Sequence, residues 1–367
     1  MRIRNSDILC LQFTEKNNER GAGLGKKIRV LVVDDSIVFR EVLARGMTTD
    51  PGIEVVATAA DPFDARDKIL KYEPDVMTCD VEMPRMNGIE FIKRLLPQYP
   101  LPVIVVSSIS DSVFEAMNAG AVDFIAKPNI NSLKGVEEFI NEMIFKIKIA
   151  AAAKVQFGSN PGQSDSISDK LKKTAANGSC KVIALGASTG GTEAIYTLVK
   201  NLPAQIPGMV IVQHIPPVFS RMFADRLNSA FAFSVKEAKT GDYIENGKIL
   251  IAPGDQHMKI KKVGDKLKVE CFAGNKVNGH CPSVDVLFES VAKEAGAGAI
   301  GVLLTGMGYD GAKGLLAMRQ KGAKTIGQDE KSSVVYGMPK VAYNIGAVER
   351  QTALENIPSV IYSILNK

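Results

Sequence analysis

Apolar residues are arranged in two ways along this chain. Runs of four to six, at 28–33 (interrupted only by Arg29) and 103–106 among others, have the length of strands buried on both faces. Between such runs, apolar residues recur every three or four positions. The clearest series is Val136, Phe139, Ile140, Met143, Ile144 and Ile147, a single stripe down one helix. Lys146 and Lys148 sit near its end, where they suit the negative pole of the helix dipole. From residue 27 to about 150 the pattern predicts strands at 28–33, 54–57, 76–79, 103–107 and 124–126. Helices are expected at 36–47, 61–72, 88–96 and 111–119, followed by the striped segment. Strands alternating with helices in this way predict a doubly wound parallel sheet of flavodoxin-like type.

A second unit of the same α/β kind is expected from residue 181 to about 365. Its strand candidates are 182–185, 209–213, 249–252, 299–304 and 325–326, with helices at 191–200, 220–228, 284–295 and 311–321. The stretch 231–275 reads as strands and turns, a small antiparallel flap. Two segments look unlike either unit. Residues 1–26 carry few apolar side chains after Phe13 and end in Gly21-Ala22-Gly23-Leu24-Gly25, a loose extension. Residues 151–178 contain Gly158-Ser159-Asn160-Pro161-Gly162, with little to bury, and read as a linker. The expected division is therefore extension 1–26, first domain 27–150, linker 151–178 and second domain 179–367.

Composition agrees and narrows the classes. With 367 residues, 46% hydrophobic and 23% charged, the chain has the balance of a soluble globular protein of two or three domains. No apolar run approaches the ~20 residues of a membrane span. Arg2, Arg4 and Asp7 interrupt any signal-peptide core near the start. A cytoplasmic location without membrane insertion is the expectation. Cys10, Cys79, Cys180, Cys271 and Cys281 form no CxxC pair, so free thiols are expected rather than a disulfide framework or zinc ribbon. The net charge of +5 is uneven. Residues 27–150 hold 14 Lys/Arg against 19 Asp/Glu, and residues 151–367 hold 26 against 18. An acidic front and a basic back point to different partners. No helix-turn-helix pattern, RNP motif or dense basic stripe is present, so nucleic acid is not an expected partner.

Chemistry-bearing residues fall at predicted strand ends. Asp34-Asp35 follow the first strand, Asp80 closes the third, Ser107 closes the fourth and Lys127 follows the fifth. The carboxyl ends of parallel strands form one edge, where ligands sit. Three carboxylates gathered there repel one another unless a divalent cation joins them, and hard oxygen ligands suit Mg²⁺. Lys127 and the Ser107 hydroxyl then supply donors to a phosphoryl group. Taken singly, these residues also read as solvated strand-end acids. Together, Val32-Val33-Asp34-Asp35-Ser36, Asp80-Val81-Glu82-Met83-Pro84-Arg85-Met86-Asn87-Gly88 and Lys127-Pro128 resemble the receiver domain of two-component response regulators, over about 27–150. The resemblance implies that Asp80 accepts phosphate from a histidine kinase. It also implies that Asp34, Asp35, Asp80 and the Glu82 backbone hold Mg²⁺, and that Lys127 contacts the phosphate. Phe124 occupies the place of that family's switching aromatic; plain core packing explains it equally.

In the second unit, Gly186-Ala187-Ser188-Thr189-Gly190 joins a predicted strand to a predicted helix and matches the nucleophile-elbow pattern. Such a turn projects the serine at the sheet edge, while amides at the helix start, Thr189 among them, point to where an oxyanion forms. Dinucleotide binding is the rival reading, but Ser188 takes the place of the second glycine of G-x-G-x-x-G and no acid lies about 20 residues on. The chain has only three histidines. His214, after the run 210–212 and before Pro216-Pro217, is the expected base. His257 is a possible substitute, and His280, in a turn, is the weaker choice. Asp310, in the glycine-dense turn after 299–304, is either a helix N-cap or the group that orients His214. The Met307 amide in that turn is a second candidate oxyanion donor. The order Ser, His, Asp differs from the Ser, Asp, His order of α/β-hydrolases.

Five segments carry a closer resemblance: Gly186-Ala187-Ser188-Thr189-Gly190-Gly191-Thr192-Glu193-Ala194-Ile195, Gln213-His214-Ile215-Pro216-Pro217, Ile251-Ala252-Pro253-Gly254-Asp255, Pro282-Ser283-Val284-Asp285-Val286-Leu287-Phe288 and Leu304-Thr305-Gly306-Met307-Gly308-Tyr309-Asp310-Gly311. With the receiver in front, they are similar to the CheB family of chemotaxis protein-glutamate methylesterases, over nearly all of 27–350. The resemblance implies Ser188 as nucleophile, His214 as general acid/base and Asp310 as its orienting acid, with no cofactor for the ester chemistry. It implies hydrolysis of glutamate γ-methyl esters, and deamidation of glutamines, on the cytoplasmic helices of chemoreceptors. The phosphodonor would be a chemotaxis histidine kinase, and the receiver is expected to cover the Ser188 edge until Asp80 is phosphorylated. Cys281 departs from the pattern, standing where the family has a basic residue. A phosphorylation-controlled adaptor that binds receptors or nucleotides without chemistry is the alternative from another class.

Overall fold

The computed structural model describes residues 26–108, 112–128, 133–153 and 180–366. The expected extension and nearly all of the expected linker lie outside the described residues. The first unit is a five-stranded parallel sheet in the order β2-β1-β3-β4-β5. Its strands are β1 (Ile28–Val33), β2 (Ile53–Ala59), β3 (Val76–Asp80), β4 (Val103–Ser107) and β5 (Asp123–Ala126). Its helices are α1 (Ile37–Met47), α2 (Pro62–Tyr72), α3 (Gly88–Leu95), α4 (Ser112–Asn118) and α5 (Leu133–Ala151). Alternation along β1 decides which helices cover which face. Val30 and Val32 pack with Phe39, Leu43 and Met47 of α1 and with Met143 and Ile147 of α5. Leu31 and Val33 face the opposite cluster, which holds Ile69 of α2, Ile92 of α3 and Phe114 of α4. Helix starts follow local chemistry: Ser36, Asp61 and Asn87 each accept a backbone N–H two or three residues on, as N-caps do.

The second unit is a seven-stranded parallel sheet in the order β14-β13-β12-β6-β7-β9-β8. Its strands are β6 (Val182–Ala187), β7 (Met209–Gln213), β8 (Ser234–Glu237), β9 (Lys248–Ile251), β12 (Ala299–Leu303), β13 (Lys324–Gln328) and β14 (Arg350–Thr352). A separate antiparallel hairpin is made of β10 (His257–Val263) and β11 (Lys266–Phe272). The helices are α6 (Gly191–Lys200), α7 (Pro217–Ala230), α8 (Val284–Glu294), α9 (Ala312–Gln320), α10 (Met338–Asn344) and α11 (Ile357–Leu365). One face of the sheet packs on α6, α7 and α11, and the other on α8, α9, α10 and the hairpin. No helix among the described residues is long and apolar enough to cross a membrane.

The expected flap is smaller than the stretch 231–275. Ser234-Val235-Lys236-Glu237 buries only Val235 fully, the pattern of an edge strand, and it joins the main sheet as β8. In the hairpin, Met258, Ile260, Leu267 and Val269 point inward against α8, and the lysines between them face out. The polar three-residue β14 gives no period from which to read a strand.

Candidate active site

The order of the first sheet reverses between β1 and β3, which opens a crevice at their carboxyl ends. Oxygens of Asp34, Asp35 and Asp80 come within 4.8 Å of one another there. Lys127 Nζ lies 2.6 Å from Asp80 Oδ2 and 2.9 Å from Asp34 Oδ2. Burial works to lower the Lys127 pKa, but its bonds to both carboxylates prevail and raise it. Burial likewise pushes Asp80 up, with help from Asp34 and against the pull of Lys127. The Glu82 amide donates to Asp80 Oδ1 at 3.2 Å. Ser107 is fully buried and donates to the Ser108 carbonyl at 2.7 Å, not to Asp80. One ammonium facing three carboxylates leaves excess negative charge on hard oxygens, a donor set that fits Mg²⁺.

The second sheet reverses between β6 and β12, with β7 on the far side of β6. Ala187 pairs with Gln213, so Ser188 and His214 are the next residues on neighbouring strands. His214 N donates to Ala187 O at 3.2 Å, and Gln213 Nε2 donates to Ser188 O at 2.9 Å. The loop after β12 closes on the same point. Ser188 N donates to Thr305 O, and Thr305 Oγ1 donates to Thr189 O, both at 3.0 Å. Gly306 passes so close that a Cβ there would lie 2.6 Å from Ser188 Cβ and 2.4 Å from Met338 Sδ. Thr189 and Met307 thus stand on the two loops that meet at the half-buried Ser188.

Asp310 does not cap α9, whose N-cap is Gly311. Its carboxylate turns inward, 1% exposed, and collects five donors. His214 Nε2 (2.9 Å) and Val284 N (2.7 Å) reach Oδ2. Ser283 Oγ (2.8 Å), Asn278 Nδ2 (2.8 Å) and Asp285 N (3.2 Å) reach Oδ1. Two of these are amides at the start of α8, where the helix dipole favours an anion. Burial alone would raise the Asp310 pKa; the bond and charge of His214, then Asn278 and Val284, hold it far below the usual carboxylate range. Asp310 can only accept from His214, so the imidazole proton resides on Nε2. Nδ1 is buried and has no hydrogen-bond partner, which leaves its lone pair free. Ser188 Oγ is therefore close in the sheet but not bonded to that nitrogen, as is common before substrate binds.

His257 is occupied structurally: its Nδ1 accepts from Ser283 N at 3.2 Å, and its Nε2 lies 2.9 Å from Asn275 O. Sequence reasoning missed Gln213, Asn278, Ser283 and Asp285 as supports of the site and put His280 last, although its ring stacks on His214. Asp285 is buried, accepting from Asn278 Nδ2 and Gly314 N at 2.7 Å each. Burial, with the Asp310 charge adding, pushes its pKa up to about 6. Asn278-Gly279 was a legible turn signal, but nothing local told where its side chain would reach. The four described cysteines are free thiols.

The first unit covers this edge. Thr189 Oγ1 donates to Asp123 Oδ2 at 3.0 Å, and Lys146 Nζ to Asp123 Oδ1 at 2.9 Å. Phe124 packs on Phe219 (centroids 4.6 Å apart) and Phe114 stacks on Phe223 (5.7 Å). Arg226 donates to Glu193 at 2.9 Å and to Asn118 at 2.7 Å. A single apolar cluster runs through both units here.

A family model described as CheB methylesterase matches residues 183–361, and one described as response regulator receiver domain matches residues 30–136. A protein-glutamate methylesterase/protein-glutamine glutaminase of Syntrophomonas wolfei is 57% identical over 345 residues, 93% of this chain and 99% of that protein. One from Syntrophotalea carbinolica is 52% identical over 326 residues, 87% and 92% of the two chains. The crystal structure of the Thermotoga maritima CheB methylesterase catalytic domain is similar with a TM-score of 0.49 and 34% identity, covering 50% of this chain and 98% of that one.

Two outcomes follow from the packing. Gly306→Ala forces Ser188 aside; labelling of Ser188 by a fluorophosphonate should slow by on the order of a hundredfold while the circular dichroism spectrum is retained. Asp285 holds a proton in the folded state up to about pH 6, but in the unfolded chain only up to its ordinary value of 3.8. Folding therefore takes up a proton in that window, and stability falls as pH rises through it. Asp285→Asn does not titrate. Its stability relative to wild type should climb between pH 4 and pH 6.5, by at most about 3 kcal/mol, measured by denaturant titration at the two pH values.

Proposed function

The chain belongs to the CheB methylesterase family, and from that premise we propose how this structure carries out and controls the reaction. The activity is that of a protein-glutamate methylesterase and protein-glutamine glutaminase. The observation that carries the mechanism is the state of His214, with Nε2 tied to a buried carboxylate and Nδ1 unpartnered beside the strand end that bears Ser188. Ser188 Oγ attacks the carbonyl carbon of a glutamate γ-methyl ester while His214 Nδ1 takes the hydroxyl proton. Asp310 stabilises the imidazolium that results. The Thr189 and Met307 amides receive the oxyanion, a contribution worth on the order of a hundredfold or more per donor. His214 returns the proton to the departing methoxide, releasing methanol and leaving an acyl-serine. Water, deprotonated by the same nitrogen, then splits the acyl group to give glutamate. With a glutamine substrate the leaving group is ammonia. None of these steps uses a cofactor.

The substrate in this reading is the glutamate-rich cytoplasmic helix of a chemoreceptor, in keeping with the basic second half, and the setting is the cytoplasm. Residues 27–150 act as the receiver, 151–178 as the linker and 179–367 as the catalytic domain. Asp80 takes phosphate from a chemotaxis histidine kinase. Asp34, Asp35, Asp80 and the Glu82 backbone would hold Mg²⁺, which neutralises charge on the transferring phosphoryl group. Lys127 and Ser107 would contact the phosphoryl oxygens; for Ser107 this requires its hydroxyl to leave the Ser108 carbonyl. In the unphosphorylated protein the receiver sits on the Ser188 edge through Asp123–Thr189 and the paired phenylalanines, and blocks a receptor helix from reaching it.

Ser188→Ala should abolish fluorophosphonate labelling and lower methanol release from methylated receptors by on the order of 10⁴-fold or more. A non-catalytic adaptor would show neither labelling nor methanol release even as wild type. A small-molecule phosphodonor should raise the wild-type esterase rate and leave Asp80→Ala unchanged. Equal responses from the two proteins, or none from wild type, would remove the gating role while leaving the esterase reading intact.

A further inference from the structure

Beside the triad, Val277 and His280 exchange both backbone hydrogen bonds, at 2.9 and 3.0 Å. Asn278 and Gly279 are then the central residues of a two-residue turn. Both have positive φ, 54° and 85°, which a type I′ turn requires and an Asn-Gly pair adopts at little cost. The turn directs one side chain to each of two triad members. Asn278 Nδ2 bonds Asp310 and, through the same nitrogen, Asp285. His280 lies face to face on His214, with ring centroids 3.7 Å apart and planes 10° from parallel.

His214 needs such a neighbour. Its ring is held by one hydrogen bond, at Nε2, and the opposite nitrogen has no partner. One bond leaves the imidazole free to rock about the line through Nε2, carrying Nδ1 away from Ser188. A flat surface at stacking distance removes that motion. We propose that His280 is a positioning residue that, by stacking, holds the His214 ring in the plane from which Nδ1 serves Ser188. This rests on the reading of Ser188, His214 and Asp310 as the triad. The charge state fits the role. Burial, then the nearby His214, with Lys276 and Lys146 adding, push the His280 pKa down to about 3 against the pull of Asp310. His280 thus stays neutral at working pH and presents a π-face, not a second charge, to the imidazolium formed during catalysis. The tight turn makes the clamp rigid, since Asn278 is anchored to the same carboxylate that holds His214.

The test uses the full chain, treated with a small-molecule phosphodonor, and follows fluorophosphonate labelling of Ser188 across probe concentrations. His280→Ala should lower the maximal labelling rate by on the order of tenfold or more, with the half-saturating concentration unchanged. His280→Phe, which keeps a flat ring and has no nitrogen, should recover most of the rate. His280→Gln, polar but without a ring, should remain slow. An Ala variant that labels at the wild-type rate overturns the proposal. So does a Phe variant as slow as Gln, because a ring nitrogen would then matter rather than stacking. If circular dichroism finds the Ala variant unfolded, Phe against Gln decides alone. Wild type that fails to label, or a Ser188→Ala protein that still labels, defeats the triad reading and this inference with it. Normal labelling of wild type together with an indifferent His280→Ala defeats only the inference.

Discussion

Asp310 carries a negative charge where almost no water reaches it, and the architecture around the catalytic edge is arranged to make that tolerable. An isolated buried carboxylate would take up a proton or unfold its surroundings. Five donors from four places prevent this: His214 after β7, Asn278 in the turn, Ser283 at the cap of α8, and the first amides of that helix. Hydrogen bonds to a charged group are worth about 1.5–3 kcal/mol each, so losing any one leaves a deficit the others cannot fill. The same charge therefore orders the site. It fixes the imidazole tautomer, seats the start of α8 against the loop after β12, and anchors the turn that brings His280 onto His214. Asp285 stands close behind with its pKa raised, chiefly by burial and further by the Asp310 charge.

Both sheets use one rule of parallel topology at different chemical settings. Each reverses strand order beside its first strand, and each gathers its reactive groups at the carboxyl ends that flank the reversal. In the receiver the reversal collects acids faster than bases, producing a pocket short of positive charge and suited to a cation and phosphate. In the catalytic unit it collects one hydroxyl, one imidazole and one acid, with the acid already matched by donors. The first site suits hard cations and phosphate oxygens; the second pairs its acid with donors from its own chain.

Much of this was readable from the chain because the relevant signals are local. A strand buried on both faces announces itself as an apolar run, and the residue after it must lie at the carboxyl edge. Asp34, Asp80, Ser188 and His214 were placed at those edges that way, and the close motif resemblance supplied the roles proposed for them. What escaped depends on distant contacts. Gln213 ends an apolar strand, but its amide matters only because β6 is the neighbour of β7. His280 sits in an unremarkable turn, and its value comes from a ring 66 positions earlier in the chain. His257 offered the same local signals as His214, a histidine after a strand, yet the fold turns it into a backbone support. The flap was overdrawn for a related reason: β8 has too few residues to reveal whether it pairs parallel or antiparallel.

The two chemistries meet along one short strand. Lys127, bonded to Asp80 and Asp34, follows directly on β5. Three residues earlier Phe124 packs on Phe219, and one before that Asp123 accepts from Thr189, next to Ser188. A phosphoryl group bonded to Asp80 would offer Lys127 new oxygens in place of its present contact, and on the proposed gating the ammonium re-aims toward them and draws on the end of β5. A shift of that strand end acts on two of the contacts that seat the receiver over Ser188. The aromatic pair tolerates sliding, because dispersion and apolar contact have little directionality. The Asp123–Thr189 hydrogen bond does not, because it weakens steeply with misalignment. On the proposed gating, then, the polar contact is the sensitive trigger and the phenylalanines are the latch that opens once it is gone. The Thr189 amide, freed of a side chain tied to the receiver, is left where an oxyanion would need it.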